Sequence, residues 1–322
     1  MSPLRSIGNP SSSFEDVFSN TGGDGIYKYP DFFWYGARGL FGGGQSPNNS
    51  TNTNKIEYIT IASAGNGTDF GDLTSTRRAA SGALGGVGRG VFAGGQEPNQ
   101  SVIDYVTAST TGDASDFGDL NNARGYVSGA SSGVRGIFAG GEQSPNKKIQ
   151  YITINTTGNA TSFGNLVDIS PNSYNCGGLA DSTRACFAGG GGSPSNEHIE
   201  YVTIMTTGNA SDFGDLNVAR SAPAACSSDT RGVSMGGQGD KDKMDYVTIQ
   251  TTGNATSFGT LNVDRNFAAG CSNGTRGISA GGSSPQSPSN FITYITIANT
   301  GGSSTFGDLT AATNELGGCA QT

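Results

Sequence analysis

The sequence predicts an all-β fold, a single six-bladed β-propeller, and three observations carry this prediction. A strand-like segment centred on a tyrosine recurs six times, and a Phe-Gly pair follows each tyrosine at a constant distance of 12 residues. Successive copies lie 45 to 50 residues apart, the length of one propeller blade. Each copy also divides into four short runs separated by Gly, Asn, Asp and Ser clusters, which predicts four antiparallel strands per blade.

The second copy shows why each run is expected to be a strand. Its first run, 79–86, is rich in Ala and Gly, which fit the crowded positions next to the ring axis. The run 89–95 begins with Arg and ends in Gly-Gly, and the run 102–107 alternates β-branched residues with other side chains. The run 116–120 contains the Phe-Gly pair, and the polar clusters between the runs indicate tight turns.

Three residues, which we call the blade residues, occur in all six copies. The arginines that begin the second strands are Arg38, Arg89, Arg135, Arg184, Arg231 and Arg276. The tyrosines of the third strands are Tyr58, Tyr105, Tyr151, Tyr201, Tyr246 and Tyr294. The phenylalanines of the fourth strands are Phe70, Phe117, Phe163, Phe213, Phe258 and Phe306. We expect the aromatic rings to lie buried between blades, and the arginines either to pair with acidic turn residues or to surround one mouth of the channel.

The two ends of the repeat region indicate how the ring closes. The first copy begins at its second strand, and the last copy is followed by a small-residue run, 314–320, that resembles a first strand without its partner. The C-terminal strand is therefore expected to complete the N-terminal blade. This predicts a closed ring over residues 36–322 and a short N-terminal arm over residues 1–35.

Composition excludes several classes of protein. Glycine accounts for 53 of 322 residues and charged residues for 14%, which argues against helical bundles and coiled coils. No apolar run approaches the roughly 20 residues of a membrane helix, and a net charge of −8 without a basic block disfavours nucleic acid. The single histidine, His198, stands in a predicted polar loop without a cluster of metal-ligating residues. We therefore expect no cofactor, no metal, no catalysis, no nucleic-acid binding and no membrane insertion.

The loop between the second and third strands varies in length, whereas the tyrosine-to-phenylalanine distance does not. Length variation on one face of a rigid ring is typical of a binding surface. These loops are rich in polar residues that suit hydrogen bonding to a glycan or a protein, although they also suit solubility alone. The candidate binding residues are Asn48, Asn49, Asn99, Asn146, Lys147, His198, Lys241 and Asp242.

The repeat resembles the Kelch repeat in its Gly-Gly ending, its tyrosine, its later aromatic residue and the arginine that follows. That trailing arginine is present as Arg77, Arg124, Arg220 and Arg265 but absent after Phe163 and Phe306, and the fourth-strand aromatic is Phe where Kelch repeats usually have Trp. The wording IEYVTI, TTGNAS, DFGDL and TRG is similar to Kelch-like propellers among the virion structural proteins of tailed marine phages, especially those that infect cyanobacteria.

This resemblance implies a non-enzymatic virion structural protein, assembled in the host cytoplasm and placed on the tail or fibres. It implies other virion proteins as partners, with a host-surface glycan or protein as a further ligand. A capsid decoration protein is an alternative. A carbohydrate-active or oxidase enzyme on a Kelch propeller and a cellular Kelch adaptor are alternatives from other classes.

The arm contains six aromatic residues within positions 27–35, which would be costly to leave in water. They pack on the propeller itself or insert into another virion protein, and the sequence leaves both interpretations open. The candidate anchor residues are Tyr27, Tyr29, Phe32, Phe33, Trp34 and Tyr35.

Overall fold

The computed structural model describes most of the repeat region: residues 38–46, 51–79, 81–86, 88–144, 146–167, 174–191, 195–284 and 288–320. Over these residues, 24 strands form six antiparallel sheets of four strands each. The sheets are arranged in a ring, so the predicted six-bladed β-propeller is confirmed. The arm, residues 1–35, lies outside the described residues and its candidate anchors remain a prediction.

The four strands of each blade follow one another from the ring axis outwards. Blade 1 contains β24 (Gly317–Ala320), β1 (Arg38–Gly42), β2 (Lys55–Thr60) and β3 (Thr68–Asp72). Blade 2 contains β4 (Ser81–Gly86), β5 (Arg89–Ala93), β6 (Val102–Thr107) and β7 (Ser115–Asp119). Blade 3 contains β8 (Ser128–Ser131), β9 (Arg135–Ala139), β10 (Lys148–Thr153) and β11 (Thr161–Asn165).

The other three blades have the same order. Blade 4 contains β12 (Gly177–Ala180), β13 (Arg184–Ala188), β14 (His198–Thr203) and β15 (Ser211–Asp215). Blade 5 contains β16 (Ala224–Ser227), β17 (Arg231–Met235), β18 (Lys243–Thr248) and β19 (Thr256–Thr260). Blade 6 contains β20 (Ala269–Ser272), β21 (Arg276–Ala280), β22 (Phe291–Thr296) and β23 (Ser304–Asp308).

The ring closes where the C-terminal strand completes the first blade, as the sequence predicted. Strand β24 pairs antiparallel with β1, with Leu40 opposite Cys319 and Gly39 opposite Ala320. Leu40 and Cys319 are both buried in the cluster between blades 1 and 2. Closure therefore joins the two ends of the repeat region within one sheet and covers the inner edge of β1.

A stack of blade residues joins each blade to the next. In every blade the tyrosine meets the phenylalanine edge-on at 5.9–6.1 Å, and the arginine lies over the tyrosine ring at 4.2–4.7 Å. Each arginine Nη1 also donates a hydrogen bond of 2.9–3.2 Å to a backbone carbonyl just after the third strand of the following blade. These bonds join Arg38 to Ala108, Arg89 to Ile154, Arg135 to Ile204, Arg184 to Ile249, Arg231 to Ile297 and Arg276 to Ile61.

The described contacts of these arginines thus run to backbone carbonyls rather than to the expected acidic turn residues. Their described hydrogen-bond acceptors are backbone carbonyls, and all six bonds run in the same direction around the ring. A carbonyl accepts a charged donor without adding a titratable group, so the cation–π contact and this bond hold the blades in register.

The glycine of the Phe-Gly pair has a packing reason. Gly71 has a φ of +146°, and a Cβ atom there would lie 2.4 Å from the carbonyl oxygen of Gly112 in the next blade. The Gly112 N–H donates to the Phe70 carbonyl at 2.7 Å. The outer turn of each blade thus docks on the Phe-Gly backbone of the blade before it, where a side chain would prevent contact.

Candidate ligand site at the channel mouth

Strand direction divides the ring into two faces. The first strand begins, the second ends and the third begins on one face, which also carries the second-to-third loops and the links between blades. We call it the loop face. The blade arginines lie at the start of the second strands, on the opposite face, which we call the clamp face. The sequence also allowed the blade arginines to surround one mouth of the channel. That mouth would be the one on the clamp face, away from the variable loops.

Six residues just before the first strands surround the channel on the loop face, and we call them the mouth residues. All are non-glycine residues in the left-handed region, with φ between 52° and 58°. Each N–H donates to the carbonyl of the mouth residue in the preceding blade at 2.7–3.1 Å, which makes a closed circuit of six hydrogen bonds. In ring order the mouth residues are Ala79, Tyr126, Asn175, Ala222, Phe267 and Glu315.

The mouth residues share a backbone conformation but not a side-chain type. A left-handed conformation costs an L-residue about 1–2 kcal/mol, and such strain is commonly held at functional sites. The circuit of hydrogen bonds holds these residues in place. A rigid backbone thus presents a different side chain from each blade, apart from the two alanines, at the centre of an otherwise repetitive protein.

Two mouth aromatics meet across the channel. Tyr126 precedes blade 3 and Phe267 precedes blade 6, on opposite sides of the ring, yet their ring centroids lie 6.3 Å apart. Tyr174, next to a mouth residue, lies 6.2 Å from Tyr126. These rings make an apolar floor at the axis, of the kind that packs against flat ligands or against the C–H face of a sugar.

Charged groups lie beside this aromatic floor. The Tyr126 hydroxyl donates to Glu315 Oε2 at 3.0 Å, and Arg78 Nη1 lies 3.3 Å from the same oxygen. Arg78 also pairs with the exposed carboxylate of Glu97. Burial raises the pKa of Glu315 despite the opposing effect of Arg78, and burial also raises the pKa of the Tyr126 phenol. The Tyr126 hydroxyl therefore remains a hydrogen-bond donor at neutral pH.

A cavity of about 480 Å³ opens at this mouth towards blades 5, 6, 1 and 2. Three buried polar atoms of its lining residues have no hydrogen-bond partner among the described residues, namely Asn266 Oδ1, Asn314 Oδ1 and Arg78 Nε. Its lining residues are Gln45, Arg78, Glu97, Gln238, Lys241, Asn266, Phe267, Ser283, Asn314 and Glu315. Two acceptors and a donor among the lining residues therefore lack a hydrogen-bond partner in the described part of the chain, although the atoms themselves are buried behind the cavity surface.

Lys241 is the residue of the sequence-predicted binding set that lines this cavity. Asn99 is exposed on its loop, Asn146 and Lys147 are half-buried, and Asp242 pairs with Lys243 at 3.3 Å. Asn48 and Asn49 lie outside the described residues.

The prediction that His198 lies in a polar loop is wrong. It is the first residue of β14 rather than part of a polar loop, and its Nδ1 lies 3.0 Å from Asp215 Oδ1 on the adjacent strand. Its position is set by strand pairing within blade 4.

The mouth residues could not be recognised as a non-repeating cluster from the sequence, although a signal for them was present. In five of the six repeats the mouth residue stands nine positions after the phenylalanine of the Phe-Gly pair, and its side-chain type varies among them. A search for repeated features passes over such a position.

Comparison of the sequence with known proteins identified no related family or protein. No protein-family model matches the chain, and a search of curated proteins returned no match. Across the described ranges, no group of three or more His, Cys, Asp or Glu side chains is placed to hold a metal ion. The same ranges contain no helix with the length and hydrophobicity needed to cross a bilayer.

Proposed function

We propose that this protein is a non-enzymatic structural protein of a phage virion. Its propeller binds a host-surface glycan at the channel mouth on the loop face. The observation that carries the binding role is the set of divergent side chains held on the closed circuit of the six mouth residues. In a chain whose other features recur from blade to blade, packing needs alone would favour the same small residue at each of these positions.

The chemistry of the mouth suits a saccharide. The Phe267 ring offers an apolar surface for a sugar C–H face, and the amide side chains of Asn266 and Asn314 line the same cavity. Arg78 and Lys241 supply donors, and Glu97 supplies a further acceptor. Carboxylates and cations alternate around the cavity, which favours a hydroxyl-rich ligand over a polyanion such as nucleic acid.

The virion role rests on the resemblance of the repeat wording to Kelch-like propellers of tailed marine phages. In this proposal the arm, residues 1–35, joins the propeller to another virion protein through its aromatic residues. The loop face then points away from the particle, on the tail or fibre. A capsid decoration protein would use the same arm but would have no need of a divergent mouth.

A glycan array probed with residues 36–322 tests the binding role. We expect binding to a restricted set of host-surface saccharides, at least tenfold weaker for Phe267→Ala because the stacking surface is lost. The matched control is Phe291→Ala, which removes a ring that is 47% exposed at the start of β22. Equal loss in both variants, or no binding to any saccharide by the wild-type chain, would refute the glycan site. Release of free sugar from the array would favour the carbohydrate-active enzyme instead.

Gold-labelled antibodies against residues 36–322 test the virion role on particles from the source culture. Label at the tail or fibre tips, lost when residues 1–35 are deleted, is the expected result. Label spread over the head would favour the decoration protein. Absence of label from every particle would refute the virion role without affecting the glycan result.

A further inference from the structure

A buried arginine occupies the link after the fourth strand in four places around the ring, and we call these residues the link arginines. Each lies between its own blade and the next, and each is no more than 1% exposed. The link arginines are Arg77, Arg124, Arg220 and Arg265. A guanidinium group so far from water needs a counter-charge or a full set of acceptors.

Two link arginines have a carboxylate partner on the third strand of the next blade. Arg77 Nη2 lies 2.8 Å from Asp104 Oδ2, and Arg220 Nη2 lies 2.6 Å from Asp245 Oδ2. All four side chains are at most 3% exposed. The interfaces between blades 1 and 2 and between blades 4 and 5 therefore contain a buried ion pair.

The other two link arginines face a neutral residue at the same position. The equivalent of Asp104 is Gln150 opposite Arg124, and it is Thr293 opposite Arg265. The Nη2 atoms of Arg124 and Arg265 are buried without a hydrogen-bond partner among the described residues, as are their Nε atoms. These Nη2 atoms are the same atoms that contact the carboxylate in the paired interfaces.

Around Arg265 the unpartnered donors form a cluster. Its Nη1 donates to the carbonyls of Ser279 and Phe291 at 3.0 and 3.1 Å, which places the guanidinium against β21 and β22. Ser279 and Thr293 are cross-strand partners on those strands, and Ser279 Oγ and Thr293 Oγ1 are also buried without a partner in the described part of the chain. One cation and two hydroxyl donors thus converge where a carboxylate stands in the equivalent interface.

The interface around Arg124 differs in ways that matter. Phe138 stands where blade 6 has Ser279, and Gln150 Oε1 already accepts a hydrogen bond from the Asn121 N–H at 2.9 Å. The amide fills the position of the carboxylate and no hydroxyl group is added. The donor cluster is therefore particular to the interface between blades 5 and 6.

Burial lowers the pKa of Arg265 to about 10, which leaves the guanidinium charged at neutral pH. A charge held in this position without a counter-ion would destabilise the fold. Because the facing position, Thr293, carries no carboxylate, an ion from solution is the simplest counter-charge. A singly charged, compact ion matches the charge of one guanidinium, whereas sulfate or phosphate would bring excess charge and volume.

We propose that a halide ion, chloride in physiological salt, binds between blades 5 and 6, held by Arg265 Nη2 and the hydroxyls of Ser279 and Thr293. The ion takes the role that the carboxylates of Asp104 and Asp245 play in the paired interfaces. This site lies within the wall of the ring and is independent of the glycan site at the mouth.

Anomalous diffraction from crystals soaked in sodium bromide locates the ion directly. We expect a peak within about 3.5 Å of Arg265 Nη2, at ordinary contact distance from both hydroxyl groups. Peaks confined to the protein surface, with none at this interface, would overturn the proposal.

Thermal unfolding in chloride and in gluconate at constant ionic strength gives a second readout. At chloride concentrations ten times Kd, the Tm of the wild-type chain should exceed its value in gluconate by about 3 °C. Thr293→Val removes one donor at nearly constant shape and should weaken the chloride response several-fold.

Thr293→Asp is the decisive variant, because it introduces the carboxylate that blades 2 and 5 already have. It should unfold at a higher temperature than the wild-type chain in gluconate and lose the chloride response, while general salt effects stay the same. A chloride response of equal size in the wild-type chain and Thr293→Asp would refute the site.

Discussion

Replacement of Asp104 by asparagine should destabilise the ring by about 3 kcal/mol, since removal of one partner from a buried ion pair costs about 3–5 kcal/mol. Neither Asp104 nor Arg77 has any side-chain exposure. The carboxylate also accepts hydrogen bonds from Thr74 N and Thr74 Oγ1 at 3.1 and 2.7 Å. We place the cost at the low end because an asparagine oxygen can still accept one of these bonds.

Chemical denaturation and thermal scans of the wild-type chain, Asp104→Asn, Arg77→Met and the double variant form the assay. At about 2 °C per kcal/mol for a domain of this size, the Tm of Asp104→Asn should fall by about 6 °C. The double variant should be more stable than Asp104→Asn alone, because it no longer buries an uncompensated cation.

Asp116→Asn is the matched control for this prediction. Asp116 lies opposite Asp104 on the neighbouring strand β7 but is exposed, so its replacement should change stability by no more than about 0.5 kcal/mol. Equal shifts for Asp104→Asn and Asp116→Asn, or strictly additive effects of Arg77→Met and Asp104→Asn, would refute the account of the interface as an ion pair.

Three further predictions concern the ring and its mouth. Deletion of residues 317–322 should lower the Tm sharply, because it removes β24 and exposes the edge of β1; an unchanged melting curve would contradict closure by this strand. Gly270→Ala should lower the free energy of unfolding by about 1–3 kcal/mol, because the new Cβ would lie 2.1 Å from the Ala225 carbonyl oxygen. Gly65→Ala is the control: its Cβ meets no atom within 4 Å, so the same unfolding assay should show no change. Burial raises the pKa of Glu315, so its contribution to stability is present at low pH and lost as pH rises through the folded-state pKa. Glu315→Gln should therefore melt above the wild-type chain at neutral pH, with the difference vanishing near about pH 4, and a constant difference across this range would contradict the raised pKa.

The blade architecture could be predicted because its determinants are local and repeated. A constant 12-residue distance from tyrosine to phenylalanine fixes a two-strand hairpin, and six copies with a displaced first strand leave few arrangements other than a closed ring. The partner of the blade arginines could not be predicted. Every residue has a carbonyl, so the sequence does not mark the one at Ala108 or Ile154 that accepts the bond.

The mouth was hidden for a different physical reason. Tyr126 and Phe267 are 141 positions apart in the chain, and only the closure of the ring brings their side chains together across the axis. The positive charges of Arg77 and Arg265 could be read from the sequence. That Arg77 faces Asp104, whereas Arg265 faces the neutral Thr293, depends on the register between blades. The position of the arm's aromatic residues relative to a partner stays a prediction.

A crystal structure of residues 36–322 soaked with the best saccharide from the array tests the central claim most directly. The account predicts a sugar ring stacked on Phe267, with hydroxyl groups within hydrogen-bond distance of the Arg78, Glu97 or Lys241 side chains that line the cavity. Saccharide bound instead on the clamp face or on the outer rim of the blades would contradict the assignment of the mouth as the ligand site.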